Sequence, residues 1–272
     1  MEKRNRIIVL IDFSEHTENL VDFAFRASDI INAKVVFLHQ ILGFVPSLAA
    51  NNEKDKFHEV EINEAREKLT SLAQERVHGS PSMIVSPKPV RTLIMEMQSS
   101  NYLDWVIGGL KESSLIKRIL FGSTLVTLIN NSALLTVAVP IRHLVEIPKK
   151  LIIAVTHKYE LNKPQLEILL SAFKNQIKAV EFLTILQEDD NDDLANKYLF
   201  DLQQRYAAYN TSILILKGAD KNMALKHHLE QNKQYFLVLQ EGGRSFLDEL
   251  FRKYLINDII HAGNIPLIVL SK

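Results

Sequence analysis

The sequence predicts an α/β fold of two successive domains, each a five-stranded, mostly parallel sheet flanked by helices. Three observations predict it. Short apolar, β-branched runs alternate with longer stretches of helical periodicity. The series of runs restarts halfway along the chain. The 272 residues, 47% hydrophobic and 24% charged, are enough for one large core or two ordinary ones.

In the first half the strands are predicted at residues 7–11, 34–38, 82–85, 105–107 and 135–139. Between the first two, Leu20, Phe23, Ala24, Ala27 and Ile31 share one helical face, with Ser14 placed as N-cap, which makes a βαβ unit. A second helix is expected over about residues 53–75 and a third over 91–98. Residues 43–52 are expected to form a longer loop than usual. Trp105, among apolar neighbours, is expected to pack in the core.

The second series places strands at residues 151–155, 179–185, 212–216, 236–239 and 266–270. Ile7-Ile-Val-Leu-Ile-Asp12 aligns with Leu151-Ile-Ile-Ala-Val-Thr156, and each precedes an amphipathic helix. Pro140 and Pro148 interrupt regular structure between the series. The expected domains are therefore 1–145 and 146–272.

Charge and composition remove several function classes. Lys plus Arg equals Asp plus Glu at 32 each, so no overall field draws the chain to nucleic acid or anionic lipid. Cysteine is absent, which excludes disulfide frameworks, thiolate nucleophiles and sulfur-ligated metals. The apolar run after the basic start at residues 1–6 ends at Asp12, too early for a signal peptide. No other apolar run approaches the ~20 residues of a membrane-spanning helix. The expectation is a soluble, cytoplasmic protein.

In an open parallel sheet, ligands sit beyond the carboxyl ends of the strands where strand order reverses. In the first half that edge is predicted to carry Asp12 and a Gly108-Gly109 loop. The chain then reads Leu110-Lys-Glu-Ser-Ser-Leu-Ile-Lys-Arg-Ile-Leu-Phe-Gly122-Ser123-Thr124 into a helical segment at 125–130. Glycines let backbone amides approach an anion, and a helix start adds aligned N–H donors.

Here the sequence resembles the universal stress proteins. Their nucleotide-binding members carry glycine, two residues, glycine, nine residues, then glycine with serine or threonine. From Gly109, Glu112 stands at the second glycine and Gly122-Ser123 falls on register. Ile-Val-Leu-Ile-Asp12-Phe-Ser-Glu-His and Ala33-Lys-Val-Val-Phe-Leu-His39 are also similar to that family. The resemblance implies Rossmann-like (adenine nucleotide alpha hydrolase-like) domains. It implies ATP or AMP, with magnesium, in the first domain. Asp12 would then lie against the adenosine, with Gly108, Gly109, Gly122, Ser123 and Thr124 around the phosphates and ribose.

Two readings of Asp12 stand, a nucleotide contact and an anchor for the following helix. Glu112 would set ~4 kcal/mol of like-charge repulsion beside the expected phosphates at intermediate dielectric if it faced them, with Lys111 turned inward as an offset and both side chains facing solvent as the alternative; Gln40 stands where the family often has a small apolar residue against the adenine. The second half departs further. Thr156 replaces the aspartate, Gln240-Glu-Gly-Gly243 keeps glycine only at the motif's second position, and Lys253-Tyr254 replaces the glycine-serine pair. That half is expected to be structural or to bind a protein partner.

Other suggestive residues read as ordinary surface or core. His227-His228 diverge on a helix and are expected on a solvated face. Glu188-Asp-Asp-Asn-Asp-Asp193 lacks the features of a calcium loop and is expected to be solvated. His16 and His39 flank the first-half edge without a serine or acid partner set by spacing. Catalysis beyond weak ATP hydrolysis is not expected. The leading function is a stress-response regulator modulated by adenine nucleotide; the alternative is an interaction module with no nucleotide. Relatives often dimerise through the last strand, and here residues 135–139 and 266–270 can make that pairing internally. A compact monomer with an internal pseudo-dimer is expected, with a homodimer as the alternative.

Overall fold

The computed structural model describes residues 3–41, 51–74, 81–111, 120–121, 134–140, 146–188, 190–232, 234–240 and 265–271. The chain divides into two compact units, Met1–Gly108 and Gly109–Lys272.

The first unit alternates strand and helix: β1 (Arg4–Ile11), α1 (Thr17–Ile31), β2 (Ala33–Gln40), α2 (Asn51–Gln74), β3 (Ser82–Ser86), α3 (Val90–Met97) and β4 (Tyr102–Lys111), which runs on past the unit's end. The strands lie parallel in the order β3-β2-β1-β4. Ile7, Ile8 and Val9 of β1 are buried, as a central strand covered on both faces requires. The predicted face of α1 packs inward: Leu20, Phe23, Ala24, Ala27 and Ile31 are all buried. Trp105 is buried in β4, and its indole N–H donates to Asn5 Oδ1 at 3.3 Å.

Two expectations need correction. Ser14 is not the N-cap of α1; the helix opens at Thr17, His16 holds the cap position without a side-chain cap bond, and the Ser14 hydroxyl donates to Asp12 instead. Gly108-Gly109 is not a loop. Both lie within β4, which continues to Lys111 and pairs antiparallel with a short β5 (Leu120–Phe121).

The second unit contains β6 (Leu135–Pro140), β7 (Lys150–Ala154), α4 (Lys163–Ala172), β8 (Ala179–Ile185), α5 (Asp192–Arg205), β9 (Thr211–Leu216), α6 (Lys221–Gln231), β10 (Tyr235–Gln240) and β11 (Leu267–Leu270). Five strands run parallel in the order β9-β8-β7-β10-β11. β6 then joins β11 antiparallel, the pairing expected between residues 135–139 and 266–270. The core draws Ile152, Leu183, Leu237, Leu267 and Val269 from the strands and Leu225 and Leu229 from α6. Asn162 caps α4 by accepting from Gln165 N at 3.0 Å, with Pro164 in the first turn where no N–H is missed. Asn191 caps α5 through Leu194 N at 3.0 Å.

Near the amino ends of the strands each unit buries charge. In the first, Arg6 clasps Asp104 across β1 and β4 with two bonds of 2.6 and 2.9 Å. The guanidinium also donates to Met97 O at 2.6 Å and lies 4.5 Å from the Tyr102 ring centroid. In the second, Glu181 of β8 is held by Lys150 Nζ at 2.9 Å and His228 Nε2 at 2.5 Å. His228 is therefore not on a solvated face as expected: its side chain is 25% exposed and reaches under α6 to the sheet. His227, one position earlier, bonds Gln231 in the open.

Candidate functional site

In the first unit the strand order reverses between β1 and β4, so the site is sought beyond their carboxyl ends. β1 leads directly into Asp12, Phe13 and Ser14. Asp12 Oδ1 accepts from Ser14 N at 3.1 Å and from Ser14 Oγ at 2.7 Å, an Asx-type turn that fixes the carboxylate just beyond the strand. Asp12 thus anchors the turn before α1 while remaining exposed.

Phe13 has φ of 53°, a left-handed conformation that costs a bulky residue roughly 1–2 kcal/mol. The strain places its ring against His39, with centroids 4.5 Å apart and planes at 52°. Lys68 Nζ of α2 stands 5.6 Å from the centroid of the same ring. His39 Nδ1 bonds Ile11 O at 2.8 Å. A carbonyl only accepts, so Nδ1 carries the proton and the imidazole is fixed in orientation.

The carboxyl ends of β1 and β2 thus carry an oriented carboxylate, an aromatic pair and an ammonium. Such a set can accept hydrogen bonds from an amine or hydroxyl and offer a π face to a planar group. The predicted residues are only partly described. Gly108 is buried in β4. Gly109 follows it, and a Cβ built there meets nothing within 4 Å among the described residues, so their packing does not demand glycine. Gly122, Ser123 and Thr124 lie outside the described residues, as do Glu112, the helix at 125–130, Gly242-Gly243, Lys253-Tyr254 and residues 43–50 of the predicted long loop. Gln40 ends β2 half-buried, and His16 sits 3.5 Å from Glu15 beside the start of α1. Sequence reasoning missed Phe13 and Lys68. The available signal for the first was an aromatic residue sitting in a turn between a strand and a helix.

In the second unit the order reverses between β7 and β10. Thr156 follows β7, and its hydroxyl accepts from Lys158 N at 3.3 Å. The acidic run beside this edge is not wholly solvated as expected. Asp190 is folded in, its side chain 4% exposed, paired with Lys158 and accepting from Gln187 N at 2.8 Å. Burial pushes the Asp190 carboxyl up, but the Lys158 and Gln187 hydrogen bonds outweigh it and hold the pKa below the ordinary value. Among the described residues no group of His, Cys, Asp and Glu is placed to hold a metal, and no helix is long and apolar enough to cross a membrane.

Parallel α/β units with helices on the sheet define a Rossmann-like architecture. Residues 3–140 match the Universal stress protein family, and the chain belongs to it. Solved structures agree on the fold. A universal stress protein from Archaeoglobus fulgidus DSM 4304 is 14% identical with TM-score 0.65, over 100% of this chain and 99% of that one. A putative universal stress protein from Pseudomonas aeruginosa UCBPP-PA14 is 13% identical with TM-score 0.56, over 99% and 93%. The cytoplasmic domain of a prokaryotic cation chloride cotransporter is 11% identical with TM-score 0.51, over 98% and 95%. No curated protein sequence matches the chain.

Proposed function

We propose that this chain is a non-catalytic, cytoplasmic stress-response regulator of two tandem domains, 1–145 and 146–272, that binds ATP or AMP in the first alone. Family membership supports the stress-response role. The observation that carries the nucleotide reading is Asp12, its carboxylate turned and held by Ser14 just beyond β1 at the switch point. Gly108 lies on the same strand edge, and the open surroundings of Gly109 fit a backbone that approaches a phosphate. Gly122, Ser123 and Thr124 complete the phosphate part of this reading by motif spacing, with magnesium accompanying ATP.

Calorimetry with MgATP and with AMP tests it. Wild-type protein is expected to bind one equivalent, and Asp12→Ala to weaken binding by about tenfold or more, the loss of a hydrogen bond to a charged group. Gly109→Val, which sets a branched side chain where the motif has none, is expected to act in the same direction. No heat from either nucleotide overturns the proposal, and unchanged affinity in both variants moves the site elsewhere.

The interaction-module reading is favoured by a different observation, the antiparallel β6–β11 pairing. It supports an internal pseudo-dimer in a monomeric chain that meets a protein partner. Light scattering separates that monomer from a homodimer.

A further inference from the structure

The place of Gly109 is held in the second unit by Gln240. Val9 pairs with Ile107 and Ile153 with Val238, and Ile153 aligns in sequence with Val9. The same number of residues beyond these partners, β4 has Gly109 and β10 has Gln240. One position has no side chain and open space around it. The other has a carboxamide that turns onto the loop after β7, where Oε1 accepts from Asn162 N at 2.5 Å and Nε2 donates to Glu160 O at 2.6 Å. A backbone N–H only donates and a carbonyl only accepts, so the partners dictate which way the amide lies.

Asn162 is held independently of Gln240. Asn162 caps α4 through Oδ1 and donates from Nδ2 to Ser271 O at 3.0 Å. Gln165 in turn exchanges two bonds with Ser271, donating from Nε2 to Oγ at 2.7 Å and accepting from Ser271 N at 2.7 Å. The Glu160 carbonyl and the Asn162 N–H flank the buried Leu161 as an acceptor and a donor two residues apart, beside the strand-order reversal. A primary amide and the Watson–Crick edge of adenine offer the same complement, an N–H donor next to an acceptor.

We propose that Gln240 is a built-in occupant of the second unit's switch point, its carboxamide filling a backbone donor–acceptor pair that accepts an aminopurine edge once the side chain is removed. This does not rest on nucleotide binding in the first domain.

The test uses the full chain carrying Asp12→Ala, which silences the first-domain site, with and without Gln240→Gly; Gln240→Ala replaces glycine if β10 is weakened. Both are titrated with adenosine and with N6,N6-dimethyladenosine, which lacks the donor. The double variant is expected to bind adenosine about tenfold more tightly than Asp12→Ala alone. It should ignore the dimethyl analogue, and adenosine should slow amide exchange at Asn162. Equal adenosine response with and without Gln240, or equal binding of the dimethyl analogue, overturns the proposal. A wild-type chain that binds no nucleotide refutes the first-domain reading and leaves this comparison standing.

Discussion

Asp104→Ala is expected to lower the stability of the chain by about 3–5 kcal/mol, because it strands a buried guanidinium. Arg6 and Asp104 have side chains 10% and 4% exposed, and their two parallel bonds tie β1 to β4. With the carboxylate gone, Arg6 retains the Met97 carbonyl and the Tyr102 ring, neither of which neutralises its charge. Denaturant unfolding measures the loss. A double variant with Arg6→Leu should recover much of it, since replacing a buried pair by apolar side chains is often nearly neutral. A loss below about 1 kcal/mol in Asp104→Ala would show that water reaches Arg6 and screens the pair as at a surface.

Glu181→Ala is expected to destabilise by about 2–3 kcal/mol, less than Asp104→Ala because the cations left behind can reach solvent. Lys150 and His228 have side chains 24% and 25% exposed, against 8% for Glu181. The same group gives a pH signature. Burial pushes the Glu181 carboxyl up, but the hydrogen bonds and charges of Lys150 and His228 more than reverse this and leave its pKa below the ordinary glutamate value. A depressed folded pKa means that the contribution is present above the unfolded pKa and is lost as pH falls through the folded one. The melting temperature of wild type should therefore fall more steeply than that of Glu181→Gln on acidification below about pH 4.5. Parallel acid limbs in the two proteins would remove Glu181 from the account.

The strands were largely legible in the sequence because burial on both faces writes a continuous apolar run, as at residues 7–11 and 236–239. Tyr235 is also buried and opens β10, but its phenol interrupts the aliphatic pattern, so the expected strand begins one residue late.

The helix α1 was equally legible, since Leu20, Phe23, Ala24, Ala27 and Ile31 recur at helical spacing. Its cap was not. Ser14 is a good capping residue by type, but it belongs to the turn closed by Asp12 and the helix opens only at Thr17, and a local turn of that kind leaves no periodic trace.

The site was legible at Asp12 and illegible around it. Spacing places a carboxylate at a strand end, whereas Phe13, His39 and Lys68 meet only because a left-handed residue turns one ring toward a neighbouring strand and helix. His228 was misread for a related reason. Its partner lies 47 residues away, and the warning was Glu181 itself, a carboxylate within the buried run Ala-Val-Glu-Phe-Leu-Thr-Ile that had to find cations somewhere.

The β6–β11 ladder also bears on how the chain can be divided. Residues 135–140 follow the first series in sequence, yet they cover the outer side of the last strand of the second. A fragment beginning at residue 146 would present β11 as a bare edge of unpaired N–H and C=O groups, with Leu267, Ile268, Val269 and Leu270 along it. Such an edge recruits other strands, so the fragment invites self-association that the intact chain forestalls. Residues 135–140 therefore belong with the second series in any fragment that is to keep β11 covered.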